Sequence, residues 1–148
     1  MYNSILLPTD GSEEMDSVIS QAIEIAEIHD ATIQAVYVKD TASLSGLPTE
    51  STWEGLGKAL EAEGQASLDA VATRADTIPV ETTVLDGDPP IEIVDYAENN
   101  SCDIIIMGTH GRSGAERLLL GSVAERVVRT VSIPVMTIPI EDATRAKQ

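Results

Sequence analysis

The sequence predicts an α/β fold: a doubly wound, five-stranded parallel sheet in the order 3-2-1-4-5, with helices on both faces. Three observations predict it. Short apolar runs alternate along the chain with longer segments whose apolar residues recur at helical spacing. The fourth run, Ile104-Ile105-Ile106-Met107, has no polar alternation, as expected of a strand covered on both faces. Clusters of Gly, Pro and Asp separate the runs from the helices that follow. Strand-helix-strand units close by right-handed crossovers, which builds a parallel sheet between two helical layers.

The elements follow in order. Residues 4–8, Ser-Ile-Leu-Leu-Pro, form the first strand, ended by Thr9-Asp10-Gly11-Ser12. Met15, Val18, Ile19, Ala22, Ile23 and Ala26 mark the first helix. Residues 32–38, β-branched and alternating, form the second strand, and a polar, glycine-bearing loop runs from about 39 to 50. Trp53, Leu56, Leu60, Leu68, Val71 and Ala75 mark a long helix over 51–76, in which Gly57 and Gly64 are weak points costing up to about 1 kcal/mol each. Residues 79–85 form the third strand, and Asp86-Gly87-Asp88-Pro89-Pro90 is a turn whose prolines suit the first turn of a helix through Ile91, Val94 and Ala97. The fourth strand spans 103–107, the last helix 122–131 and the fifth strand 134–138. Residues 1–140 read as one domain, and the tail 141–148 reads as disordered.

Composition narrows the function classes. The chain has 25 carboxylates against nine basic residues, a net charge of −16. Such a surface is a poor partner for nucleic acid. The acidic excess, three lysines and no phenylalanine resemble proteins of salt-loving organisms. No apolar run exceeds four residues, far short of the roughly 20 that span a membrane. The N-terminus lacks the basic start of a secretory signal, and the single Cys102 allows no internal disulfide, so a cytoplasmic setting is expected. Cys102 itself reads as a small buried apolar residue. Arg112, Arg117, Arg126 and Arg129 against Glu116 and Glu125 make residues 112–129 a local island of +2, leaving −18 for the rest.

In the predicted sheet, ligands bind where the strand order reverses, at the carboxyl ends of strands 1 and 4. Those ends carry Asp10 and Gly108. After Met107 the chain reads Gly108-Thr109-His110-Gly111-Arg112-Ser113-Gly114, then after six residues Gly121-Ser122-Val123. Glycines at 108 and 111 allow a tight turn and close backbone approach to a ligand. Gly121 and Ser122 open a helix, whose unpaired N–H groups and dipole favour an anion. Together these predict a phosphate cradle. Taken singly, each glycine serves equally well as a loop turn, and Ser122 as an N-cap. The segment is neither a P-loop, since Gly57-Lys58 has Thr52 where glycine is required and Ala59 after the lysine, nor the dinucleotide fingerprint, since the spacing is G-x-x-G-x-x-G.

Gly108, Gly111, Gly121 and Ser122 fit G-x2-G-x9-G-[ST], and on this pattern the chain resembles the ATP-binding type of the universal stress protein family. Pro8-Thr9-Asp10, Val38-Lys39-Asp40, Gly87-Asp88-Pro89 and residues 122–128 look like the corresponding family segments, so the resemblance covers residues 1 to about 140. It implies ATP in the cleft, dimers, and a regulatory rather than catalytic role for many members. Residue by residue, it implies that Val38 holds the adenine through its backbone and that Asp10, beside Pro8 and Thr9, sits near ribose and phosphates. Gly108, Gly111, Gly121 and Ser122 then hold the phosphates, with Met107, His110, Arg112 and Val123 alongside. Asp10 next to a polyanion is tolerable if it accepts ribose hydroxyls or shares Mg2+ with the phosphates; its other reading is a cap on the first helix. Arg126 and Arg129, farther along the last helix, are expected to face carboxylates.

Three other classes compete. ATP cleavage would need Asp10 or His110 to activate water, and no paired acid and base stands out. A phosphorylated receiver needs neighbouring acids after strand 1 and a lysine after strand 5; Asp10 stands between Thr9 and Gly11, and Ser132-Ile133-Pro134 offers no lysine. A binding module without nucleotide is the third. The predicted fifth strand, Val135-Met136-Thr137-Ile138, is an apolar sheet edge that calls for protection, so a homodimer through residues 135–138 is expected.

Overall fold

The computed structural model describes residues 1–41, 50–110 and 120–140. Its elements are β1 (Ser4–Pro8), α1 (Met15–His29), β2 (Thr32–Asp40), α2 (Glu50–Arg74), β3 (Val80–Gly87), α3 (Pro89–Asn99), β4 (Ile104–Gly108), α4 (Ser122–Thr130) and β5 (Val135–Ile138). The five strands form one parallel sheet in the order β3-β2-β1-β4-β5, as the alternation of strand and helix predicts. The expected tail, 141–148, lies outside the described residues, as does most of the loop after β2.

A period of two sends neighbouring strand residues to opposite faces. Ile5, Leu7, Ile33, Ala35, Tyr37, Ile104 and Ile106 meet Val18 and Ala22 of α1 and Leu68 and Val71 of α2. Leu6, Val36, Ile105 and Met107 meet Ile93 and Ala97 of α3 and Ala124 and Val127 of α4. The two cores together bury β4 along its whole length. Cys102 lies in the second core, and burial pushes its thiol pKa up.

Strand boundaries differ from the expected ones where ion pairs continue the ladder. Lys39 pairs with Asp86 and Asp40 with Gly87, so β2 gains two residues beyond Val38, and Asp86 and Gly87 finish β3 rather than start a turn. The Lys39 ammonium reaches Glu61 of α2 and Asp86, each at 3.2 Å. Hydrogen bonds to those two carboxylates, Glu61 first, hold its pKa above the ordinary lysine value. At the opposite end Asp103 precedes β4 instead of opening it. Its Oδ2 accepts the N–H groups of Asn3 at 2.7 Å and Ser4 at 2.9 Å. Pro89 and Pro90 occupy the first turn of α3, where no intrahelical donor is needed.

Gly64 is more than a weak point in α2. A Cβ there would stand 2.6 Å from Cδ1 of Tyr37 and 3.1 Å from two further ring atoms, whereas a Cβ on Gly57 meets nothing within 4 Å. Opposite outcomes are therefore expected from one substitution. Gly57→Ala raises stability by up to about 1 kcal/mol through helix propensity. Gly64→Ala lowers it by about 1–3 kcal/mol through overpacking. Thermal denaturation of the two variants checks both signs.

Candidate functional site

Backbone direction opens a crevice at the reversal point. Thr9 N–H donates to Val36 C=O at 2.9 Å, so the odd residues of β1 turn their backbone groups to β2 and the even ones to β4. Pro8 is even-numbered and has no N–H, so it brings no donor to the β4 side. Pairing of β1 with β4 accordingly stops at Leu6↔Ile105, while β1 and β2 stay paired through Pro8↔Val36. The same parity turns the N–H and C=O of Val38 toward the β1 side, two residues past the last β1 partner. A donor and an acceptor therefore face the crevice from main chain alone.

The cavity in this crevice measures about 390 Å³ and is lined on one side by Pro8, Thr9, Asp10, Met107, Gly108, His110, Val123 and Ala124. The rest of the lining comprises Val36, Tyr37, Val38, Asp40, Leu60, Glu63 and Ile93, with Met15 and Pro89. Eight of the expected site residues, Pro8, Thr9, Asp10, Val38, Met107, Gly108, His110 and Val123, thus meet around one cavity, whereas Gly121 and Ser122 are not part of its lining. Gly111 and Arg112 lie outside the described residues. Tyr37 donates its hydroxyl to Glu63 Oε2 at 2.7 Å, which fastens α2 to the cavity wall.

Asp10 does not cap α1. Its Oδ1 accepts Ser12 N–H at 2.9 Å and Ser12 Oγ at 2.6 Å, while α1 starts at Met15 with Glu14 at the capping position. Gly11 makes this tight turn possible with a φ of 79°, a region that favours glycine.

The other wall is built around Thr109. Its N–H donates to Ile138 C=O at 2.9 Å, its C=O accepts Gly121 N–H at 2.6 Å, and its Oγ1 accepts Ile140 N–H at 3.3 Å. Gly121 caps α4 with an extended backbone, φ −74°, and sits where a Cβ would press on His110 Cα and Thr109 C=O, both at 3.3 Å. Its own N–H is therefore engaged inside the protein. The donors that α4 leaves to the crevice are the N–H groups of Ser122, Val123 and Ala124, since the first intrahelical bond runs from Glu125 N–H to Gly121 C=O. Ser122 is exposed at the first helical position and Val123 is half-buried. Gly108 is needed for packing: a Cβ there would overlap Ile140 Cδ1 and stand 3.3 Å from His110 C=O.

The arginine island is partly neutralised. Arg126 reaches Asp88 at 3.3 Å and Arg129 reaches Glu125 at 3.6 Å, while Arg112 and Arg117 lie outside the described residues. Among the described residues, positive character at the crevice thus comes from the α4 N-terminus and not from arginine. No group of three His, Cys, Asp or Glu side chains among them is arranged to hold a metal ion. No helix among them is long and apolar enough to cross a membrane.

Tyr37, Leu60, Glu63 and Ile93 were not expected at the site. Leu60 and Glu63 reach it through the docking of α2 and Ile93 through that of α3, which leaves no local pattern in the chain, while Tyr37 comes from β2 beside Val38. Asp40 did carry a signal, the Val38-Lys39-Asp40 segment at the end of β2.

Known proteins share this fold. The family model described as the universal stress protein family matches residues 1–139. Universal stress protein MJ0531 of Methanocaldococcus jannaschii is 42% identical over 140 residues, covering 93% of this chain and 82% of that protein. The solved structure of MJ0577, another universal stress protein of the same archaeon, is similar with a TM-score of 0.85 at 28% identity, covering 97% of this chain and 99% of that one. A universal stress protein of Archaeoglobus fulgidus, solved in complex with dAMP, shares the fold with a TM-score of 0.68 at 20% identity, covering 93% of this chain and 98% of that chain. With the strand order and a family match over almost the whole sequence in agreement, the chain belongs to the universal stress protein family.

Proposed function

We propose that this protein binds ATP in the crevice between β1 and β4 and acts as a nucleotide-dependent regulator in the response to stress. The observation that carries the reading is the pairing of two complementary ends in one cavity. Val38 offers a main-chain donor and acceptor among apolar walls at one end, and the first turn of α4 offers N–H groups at the other. The first suits the edge of a base and the second suits phosphates. A cavity of about 390 Å³ falls within the size range of small-molecule sites, roughly 300–1,000 Å³. Asp10, which lines the cavity and accepts from Ser12, would receive ribose hydroxyls in this reading. Mg2+ would arrive with the phosphates, which supply most of its ligands, and Asp10 is the cavity carboxylate on their side.

Thermal denaturation tests the reading. At Mg-ATP concentrations about 100 times Kd, linkage adds about 2.7 kcal/mol. For a domain of this size that corresponds to a rise of about 5–10 °C in melting temperature. An unchanged melting temperature at millimolar Mg-ATP contradicts the proposal.

Assembly belongs to the same reading. Among the described residues β5 pairs only with β4, and its four residues are half-buried, which leaves an apolar edge. A second copy pairing through Val135–Ile138 would cover it. Light scattering at micromolar concentration is expected to give a dimer mass, and a monomer mass would remove this part.

A further inference from the structure

The end of β2 is anchored on either side of Val38. Ile33 N–H donates to Pro79 C=O at 3.0 Å, so the odd residues of β2 turn their main chain to β3, and that register runs on through Lys39↔Asp86. Val38 turns its main chain the other way, past Pro8↔Val36, the last pair of β1 with β2. The side chains of its two neighbours both reach α2. The Tyr37 hydroxyl donates to Glu63 at 2.7 Å, and the Lys39 ammonium lies 3.2 Å from Glu61 of α2 and 3.2 Å from Asp86 of β3. An ammonium has three donors and no acceptor, so the sense of both Lys39 contacts is fixed. Only 16% of the Lys39 side chain is exposed, which screens these pairs less than pairs on an open surface. Val38 lines the cavity and Lys39 does not.

We propose that Lys39 is a positioning residue for the base end of the site: by joining α2 to β3 across the end of β2, it holds the main chain of Val38 at the distance from β1 that the edge of a base requires. The inference rests on the nucleotide reading for the ligand, and on the ladder and the two ion pairs for the positioning. Past residue 36 the strand has lost its pairing with β1, so its end is held by β3 and by α2. Removing the ammonium cuts both of its links at once. It also leaves Glu61 and Asp86 as like charges on the two sides of the gap, which drives α2 and β3 apart. The phosphate end is built from β4 and α4, which take no part in these contacts, so the loss falls on the base end.

The test has two arms. The first is Mg-ATP titration of the parent, Lys39→Met and Lys39→Arg, followed by amide NMR. Methionine keeps the length without the charge, and its Kd is expected to rise about tenfold. At saturation its Val38 shift is expected at about half that of the parent or less, with the shifts at residues 122–124 kept. Arginine keeps the charge and a fork that can reach both carboxylates, so its Kd is expected within about threefold of the parent. A methionine variant within about twofold of the parent overturns the positioning role, as does equal loss of shift at both ends or arginine behaving like methionine. If methionine fails to fold, Glu61→Gln cuts one link and is expected to raise Kd about threefold, and an unchanged Kd overturns the role. The second arm is amide hydrogen exchange of the ligand-free protein. Lys39→Met is expected to speed exchange at the Tyr37 and Lys39 N–H groups about tenfold or more while Ile33 stays as in the parent. Unchanged exchange there overturns the positioning. Should the parent bind no Mg-ATP, the nucleotide reading fails, and faster exchange still shows that Lys39 holds the end of the strand.

Discussion

Gly108→Val is expected to lower both stability and nucleotide affinity more than any other single change at the site. The position is buried at the end of β4, and even a Cβ overlaps the end of the Ile140 side chain. Ile140 can swing away, but its N–H is held by Thr109 Oγ1, so movement of the segment reaches the cradle. The γ-methyl groups of valine add a second layer of overlap beside His110 C=O, which is main chain and yields less. Overpacking of this kind costs about 1–3 kcal/mol, a drop of roughly 2–10 °C in melting temperature. Because the displaced groups form the cradle wall, Mg-ATP is expected to give little or no thermal protection in this variant. A cycle separates the cause: Gly108→Ala and Ile140→Ala combined should destabilise by less than the sum of the two, since the second change removes the clash made by the first. Strict additivity would assign the glycine another role.

Gly121→Val is expected to lower nucleotide affinity along with stability, through packing and not through backbone strain. The backbone at this position is extended, so valine adopts it without strain. The cost falls on the contact with residues 109 and 110, where the new Cβ stands 3.3 Å from His110 Cα and Thr109 C=O. The 109–110 turn and the α4 N-terminus must then spread apart, and a nucleotide that bridges them loses its fit. A fall in Mg-ATP affinity of about tenfold to a hundredfold corresponds to the usual range of overpacking. Val128→Ser, on the exposed side of α4, is the matched control and should bind like the parent. If Gly121→Val also binds like the parent, the phosphates lie elsewhere.

The fold was readable because its signals are local. Period-two alternation in β1 and β2, the unbroken apolar run of β4 and the prolines before α3 each act within a few residues. Strand ends were less readable: β2 and β3 continue past Val38 and Leu85 because Lys39 joins Asp86 and Glu61, a contact between distant segments. The site divides the same way. Pro8, Asp10, Gly108 and Gly121 sit at strand and helix ends, where glycine, proline and aspartate have a direct backbone meaning. Their reasons still changed on inspection. Gly108 and Gly121 are required by Ile140 and by residues 109–110, and Asp10 closes a turn with Ser12 rather than capping α1. Thr109 looked ordinary because its partners, Ile138, Ile140 and Gly121, come from other segments. Glu63 and Tyr37 were hidden for a similar reason: one hydrogen bond between α2 and β2 brings them to the cavity.

The central claim is the location of the nucleotide, and an amide NMR map on titration with Mg-ATP tests it most directly. Saturable shifts are expected at Val38, Gly108, His110 and residues 122–124, while the separate groove between α3 and α4, lined by Ile91, Val94, Arg126 and Thr130, is expected to stay unmoved. Saturable shifts confined to that groove, or no saturable shift at any of the cavity residues, would contradict it.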